Sequence, residues 1–435
     1  MNKLSLYICI ILLGGFFRLS AQEVLTAEEA ISITLKNNFE IRLAKNTLEA
    51  TKLGVTPGFA GMLPQVDAVL QDNNRVQNLT QTRSDGTENS LPNAKNNSLD
   101  YGVSLDWTLF DGFRMFAQYN QLKEQKKLSD AELQKAVIAN VSNVLVTYYD
   151  LVQQQQQLLA LDSTVVISKQ RVTLAQNRFT IGKASKLEVL NAKVDLNTDE
   201  TTLLKQQESF ANTKIELNRL LSRKSETAFD VVDEIALDSN LFLPSLEERT
   251  KQQNPELLAQ TINQRIAELE LKKVKAERFP TLVASTGYNF SNSESSLGYT
   301  TNSSSHGFNY GVSINLNVFN GFNQNRSEKI AKLDIDNSKL LIEQQEKAVL
   351  AQLHTAFKTY QTNLKLITFE QNNEAIAKEN LEITMDKYRI GTIPTIEFRT
   401  AQLNYINAQL RLSDAKFQAK LSEISLKALS GSLPY

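Results

Sequence analysis

The chain has 435 residues with 47 basic and 48 acidic side chains, two histidines and one cysteine. A formal charge of −1 gives no footing for nucleic-acid binding, and one cysteine excludes a disulfide framework or a cysteine-built metal site. No run of eighteen apolar residues follows residue 21, so no membrane-spanning helix is expected; contact with lipid would have to be through strands.

The first 21 residues read as a secretory signal peptide. Lys3 gives the basic start, Leu4 to Gly15 the apolar core, and Leu19-Ser20-Ala21 the exit, with cleavage after Ala21. Cys9 lies inside that core without the small residues that precede a lipidated cysteine. Cleavage removes Lys3 and Arg18 and no acid, taking the net charge to −3.

Two strands are predicted next, at about 63–73 and 99–110. In the second, Leu99, Tyr101, Val103, Leu105, Trp107 and Leu109 share a face opposite Asp100, Gly102, Ser104, Asp106 and Thr108. About ten residues of such alternation suit a transmembrane β-strand. A half-buried soluble sheet alternates in the same way, but it would need more strands than this chain offers. The polar stretch Asn73 to Ser98 reads as an external loop.

From Phe113 to Phe179 there is neither proline nor glycine, which predicts a helix about 100 Å long. Val137, Val141, Val144, Tyr148, Leu151 and Leu158 keep heptad spacing; after a three-residue slip Leu161, Val165, Val172 and Phe179 continue it. That spacing argues coiled-coil packing. Gly182 suits a left-handed helix stop, and Ser185-Lys-Leu-Glu188 reads as a capping box opening a return helix, so a hairpin tip falls at about 180–186. Residues 224–245 read as a connector, with a short strand near Ala228 to Val232.

The pattern then repeats. Tyr101-Gly-Val-Ser-Leu returns as Tyr310-Gly-Val-Ser-Ile, Leu109-Phe-Asp-Gly-Phe as Val318-Phe-Asn-Gly-Phe, and Phe179-Thr-Ile-Gly as Tyr388-Arg-Ile-Gly, all 209 residues apart. Upstream, Asn38/Asn254, Glu40/Glu256 and Pro64/Pro280 are 216 apart, so the first copy has a longer polar loop. The copies are 22–223 and 246–431. The second supplies strands at about 281–290 and 308–319, with Tyr310, Val312, Ile314, Leu316 and Val318 outward, and a polar loop from Ser291 to Gly307. Its long helix runs from Phe322 to Tyr388 with seam residues Leu350, Leu353, Phe357, Tyr360, Ile367, Leu381 and Tyr388. Its tip is at 389–395, with Pro394 in the first turn of the return helix. Pro57 in the first copy faces Lys273 in the second, so the first leading helix should bend or stop early. Four strands cannot close a barrel and an open edge in lipid is forbidden, so the chain should oligomerise; three copies give twelve strands.

These motifs resemble the TolC family of outer-membrane efflux and secretion channels, over essentially the whole mature chain. The junction motifs carry the resemblance, together with Arg178-Phe-Thr-Ile-Gly and Glu188-Val-Leu-Asn-Ala192, and Lys387-Tyr-Arg-Ile-Gly and Glu397-Phe-Arg-Thr-Ala401. The resemblance implies a mainly α protein with a small β part. It implies a homotrimer with a twelve-stranded outer-membrane barrel, four strands per chain, over a periplasmic α-barrel of coiled-coil hairpins. A periplasmic membrane-fusion adaptor and an inner-membrane pump of RND or ABC type would be its partners. Contact with the adaptor would fall on Ile181, Gly182, Lys183, Ile390, Gly391 and Thr392. A periplasmic gate would involve Glu188, Tyr388 and Glu397, while Ile393 and Thr400 depart from the basic and acidic residues the family can carry there.

The expected function is a passive conduit for small molecules in a tripartite efflux pump of a Gram-negative bacterium. A type I protein-secretion conduit shares the architecture, and a periplasmic coiled-coil structural or adaptor protein is the reading from another class. No catalytic constellation, phosphate loop, metal cluster or cofactor motif appears, and His306 and His354 stand without ligand-spaced partners, so an enzyme is not expected.

Overall fold

The computed structural model describes residues 24–232, 234–238, 240–296 and 300–434. The signal peptide and Cys9 lie outside the described residues. In chain order the elements are β1 (Val24–Leu25), α1 (Ala27–Asn37), α2 (Phe39–Leu53), β2 (Gln65–Thr82), β3 (Glu88–Phe110), α3 (Arg114–Thr180) and α4 (Lys186–Leu220). There follow β4 (Asp230–Val231), α5 (Leu243–Gln253), α6 (Pro255–Ala276), β5 (Thr281–Ser295), β6 (Asn302–Asn315), α7 (Asn323–Ile390) and α8 (Thr395–Leu429). Among the described residues no helix is long and apolar enough to cross a membrane.

The chain forms two compact units, and each draws residues from both sequence copies. One comprises residues up to 45, 132–257 and 346–435; it holds the hairpins α3/α4 and α7/α8 from 132 and 346 onward, with the small parallel pair β1–β4. Its core follows the predicted seam. Val137, Val141, Val144, Tyr148 and Leu151 are buried on α3, and Leu353, Tyr360, Ile367, Leu381 and Tyr388 on α7. Phe179 departs from expectation and is exposed, while Val172 and Ala175 make the contact with Val189 and Ala192 of the return helix.

The duplication recurs in side-chain chemistry. Asn38 caps α2 by accepting from the Glu40 and Ile41 amides, and donates to the Leu220 carbonyl at 3.1 Å. Asn254 does the same for α6 and donates to the Leu429 carbonyl at 3.0 Å. Each side chain thus satisfies donors at one helix start and an acceptor at another helix end. Helix α2 stops at Leu53, before Pro57, whereas α6 runs through Lys273 to Ala276, as the proline required.

The other unit, residues 46–131 and 258–345, contains one antiparallel sheet of order β2-β3-β5-β6. Its strands exceed the predicted lengths: β2 and β3 pair from Gln65/Asp106 to Thr82/Glu88, and β5 and β6 from Thr281/Asn315 to Glu294/Asn302. Most of each polar loop is therefore a hairpin. Backbone pairing does not require apolar side chains, so the ladder continues where alternation ends. At its other end β6 stops at Asn315, because its partner β5 begins at Thr281; Leu316 and Val318 lie beyond the ladder, though exposed as expected.

The register sorts the side chains of all four strands. One face carries the rows Val66, Leu105, Thr286, Tyr310, then Ala68, Val103, Tyr288, Phe308, then Leu70, Tyr101, Phe290, His306. The rings of Tyr101 and Phe290 stack at 4.8 Å, and His306 stacks on Phe290 at 5.8 Å. The opposite face carries Gln65, Asp106, Ser285, Gly311, then Asp67, Ser104, Gly287, Asn309, then Val69, Gly102, Asn289, Gly307, then Gln71, Asp100, Ser291, Ser305, polar but for Val69 and the glycines. Segments whose own alternation looked poor, such as Gln65 to Gln71, thus align with stronger neighbours.

The Asp-Gly-Phe and Asn-Gly-Phe motifs turn strand into helix. Gly112 and Phe113 both have positive φ, as do Gly321 and Phe322. Asp111 caps α3 by accepting from the Met115 amide at 2.8 Å, and Asn320 accepts from the Gln324 amide at 3.2 Å. A Cβ on Gly112 would lie 2.8 Å from Phe279 Cβ, so only glycine fits that corner.

The hairpin tips as candidate functional site

Each long helix ends in a glycine with positive φ, +74° at Gly182 and +85° at Gly391. The Lys183 amide donates to the Arg178 carbonyl at 2.7 Å, and the Thr392 amide to the Lys387 carbonyl at 3.0 Å. These bonds satisfy carbonyls that a helix end would leave free. The turns are built alike, and both project their residues into solvent. Ile181 is 65% exposed and Ile390 76%, with Gly182, Lys183, Gly391 and Thr392 exposed beside them. No Cβ clash holds Gly182 in place; its constraint is the backbone angle.

Immediately above the turns, the two hairpins meet through side chains. Ser185 caps α4 by accepting from the Glu188 amide, but the reciprocal half of the expected capping box is missing. The Glu188 carboxylate is used elsewhere: it accepts from the Tyr388 hydroxyl at 3.0 Å and lies 3.6 Å from Arg178. The ring of Tyr388 stacks on Phe398 at 5.2 Å with 11° between planes, and the Arg178 guanidinium lies over it at 5.3 Å. Burial raises the Tyr388 phenol above its ordinary value and the neighbouring Glu188 carboxylate adds to the rise, so the ring is a neutral donor at physiological pH. Pro394 stands at the N-cap of α8 rather than in its first turn. Glu397 is exposed and makes no ion pair or side-chain hydrogen bond among the described residues. The structure therefore joins Glu188 with Tyr388 and leaves Glu397 apart.

Deeper in the same unit is a charged core that the sequence reading missed. Arg399 grips Asp199 with two hydrogen bonds of 2.8 Å and donates to Gln402 at 3.2 Å. Ser168 donates to Asp199 at 2.5 Å, and Gln402 donates to Ser168 at 2.9 Å. Arg171, its side chain 1% exposed, pairs with Asp195. Four helix positions on α4 and α8 thereby bind α3 from two sides. Arg171, Asp195, Asp199 and Arg399 stand among many other charged residues of the hairpins, and spacing by itself does not reveal which of them turn inward.

A groove of about 570 Å³ opens beside the tips, floored by Ile167, Leu174, Met385 and Phe398. Elsewhere, His354 contacts Glu247 at 2.7 Å and His306 lies on the apolar sheet face. Among the described residues no group of three His, Cys, Asp or Glu is placed to hold a metal.

Comparison with known proteins supplies the family. The outer membrane efflux protein family matches residues 30–223 and 246–432. The protease secretion protein PrtF of Dickeya chrysanthemi is 20% identical over 93% of this chain and 88% of its own. The toluene efflux pump outer membrane protein TtgC of Pseudomonas putida is 24% identical, covering 93% and 82%. The solved outer-membrane channel OprN superposes with a TM-score of 0.77 at 17% identity, over 94% of this chain and 90% of that one. Members of this family are trimeric channels that work with adaptors and inner-membrane pumps. The chain belongs to the outer membrane efflux protein family, as the outer-membrane channel component of a tripartite efflux system with its helical part in the periplasm.

Proposed function

We propose that three copies of this chain close a twelve-stranded barrel and a twelve-helix tunnel, forming a passive conduit for small molecules handed over by a periplasmic adaptor and an RND or ABC pump. The observation that carries this reading is the sheet: four strands with two free edges, one face apolar and one polar, which suit lipid outside and water inside once the edges are paired. Exposed apolar side chains on the hairpins support it. Leu187, Leu190, Val194, Leu204 and Ile215 on α4, and Leu366, Phe369, Ile376 and Ile383 on α7, keep heptad register without a partner in this chain. Facing seams on neighbouring protomers would cover them.

In this reading the exposed tip residues Ile181 to Lys183 and Ile390 to Thr392 meet the adaptor, and the Glu188–Tyr388 contact holds the periplasmic end closed. Glu397, exposed beside it, would add acidic charge at the entrance. A type I secretion conduit has the same build, and the likeness to a protein named for protease secretion keeps that cargo class in play. Deletion followed by measurement of drug efflux and of secreted protein separates the two. Replacing Gly182 and Gly391 with valine tests the tips: a β-branched residue at positive φ is strained and bulky where a partner must approach. Export should fail while trimers still assemble. Retained export with normal adaptor crosslinking would refute the contact.

A further inference from the structure

We propose that the lipid-facing side of the sheet carries a seat for the sugar head of an outer-leaflet glycolipid, built by Asp72, Asn97, Asn292, Glu294, Asn302 and Ser304. The inference rests on the channel reading above, in which the apolar face meets lipid. On that face the row Leu70, Tyr101, Phe290, His306 is followed by Asp72, Leu99, Asn292, Ser304 and then by Asn74, Asn97, Glu294, Asn302. Apolar side chains thus give way to amides, hydroxyls and carboxylates within two rows. A groove of about 470 Å³ opens there, lined by the six residues named. The helices leave from the Phe110 end of the sheet, so this is the outer end. From Leu109 to Leu99 a strand rises about 34 Å, or about 25 Å along the membrane normal at a tilt of about 40°, which is the height of an outer-membrane apolar band. The polar rows therefore stand at headgroup level, with the stacked rings of Tyr101, Phe290 and His306 as the aromatic belt beneath them.

The chemistry of the groove fits a sugar better than a glycerophospholipid. Asparagine and serine side chains both donate and accept, and carboxylates accept, so a ring of hydroxyls finds both kinds of partner. Few of these groups are used internally. Ser304 donates to Asn292 at 2.6 Å and Asn74 to Asp72 at 3.1 Å, while Asn97, Glu294 and Asn302 have no side-chain hydrogen bond or ion pair among the described residues. The groove is lined by no lysine or arginine, which a bare phosphate would call for. One row further out Lys95 stands exposed beside Val76, in no ion pair among the described residues, where it can meet a phosphate carried on the sugar. Below the groove, Val103, Phe308 and Tyr310 are exposed on the same face and offer a surface to acyl chains. The ligand is therefore amphipathic, a sugar head over acyl chains. Strands from both sequence copies build the seat, so each chain has one.

The test is native mass spectrometry of detergent-purified trimers with lipid A, an acylated and phosphorylated glucosamine disaccharide, in buffer with Mg2+ to screen its phosphates from Asp72 and Glu294. Wild-type trimers should take up one lipid A per chain in preference to phosphatidylglycerol. Asn97→Val/Asn292→Val, which keeps strand-forming residues, and the isosteric Asp72→Asn/Glu294→Gln should each weaken lipid A uptake on the order of tenfold with phosphatidylglycerol unchanged. The isosteric pair carries the test if the valine pair fails to assemble. Equal uptake of the two lipids, or lipid A uptake that survives either replacement in assembled trimers, overturns the inference and leaves the channel reading standing. Equal binding of the deacylated disaccharide overturns it in favour of a soluble saccharide. A wild-type chain that forms no trimer overturns both readings.

Discussion

Tyr388→Phe isolates the contact between the two hairpin tips, because it removes one oxygen and little else. The phenylalanine ring keeps its stack on Phe398 and its place beneath Arg178, so no cavity forms in a residue that is 1% exposed. What is lost is one hydrogen bond to a carboxylate, 3.0 Å long. A bond to a charged group contributes about 1.5–3 kcal/mol. The lower end applies here, since Glu188 keeps Arg178 at 3.6 Å as a second partner. About 1.5 kcal/mol corresponds to roughly a tenfold change in an equilibrium constant. If this bond holds the tips closed, each protomer should open about tenfold more often, and trimers in planar bilayers should dwell longer in conducting states. Glu188→Gln should act in the same direction, because a neutral acceptor binds both Tyr388 and Arg178 less strongly. An unchanged open fraction in Tyr388→Phe, with normal trimer yield, would refute the gate assignment.

Further substitutions, in the helical core and in the sheet, separate scaffold from gate. Arg399→Met strands the buried Asp199 carboxylate, whose side chain is 9% exposed, and should cost about 3–5 kcal/mol, read as a lower unfolding temperature of the trimer. Adding Asp199→Leu should recover much of that loss; no recovery would mean that packing, not charge, dominates there. In the sheet, a Cβ on Gly102 would lie 2.6 Å from the Tyr288 carbonyl, whereas one on Gly311 meets only Ser285 Oγ at 3.9 Å. Gly102→Ala should therefore lower trimer yield in the outer membrane and Gly311→Ala should not; equal yields would show that the strands shift apart at no cost.

Sequence carried much of the architecture because its signals are local and repeated. Two proline- and glycine-free stretches became α3 and α7 within about two residues of expectation, since nothing in them interrupts helical hydrogen bonding. Gly182 and Gly391 were legible because positive φ restricts residue choice where a helix stops, whereas the positive φ of Phe113 and Phe322 at the strand-to-helix corners was not. Strand ends were less legible. Polar residues from Asn73 to Thr82 and from Glu88 to Ser98 pair through their backbones, and hydrophobic alternation says nothing about where such a ladder stops.

The tertiary structure decided which polar residues act together. Glu188 reads from sequence as half of a capping box, because Ser185 stands three residues before it. Its carboxylate instead crosses to Tyr388, 200 residues away, where burial of the phenol and the Arg178 guanidinium make a better partner than an exposed helix end. The same holds for Asp199 with Arg399, and for the row that sets Asp100 beside Gln71 and Ser291. Periodicity fixes the face on which a side chain stands; only the packing of separate helices and the register of separate strands fixes what it meets there.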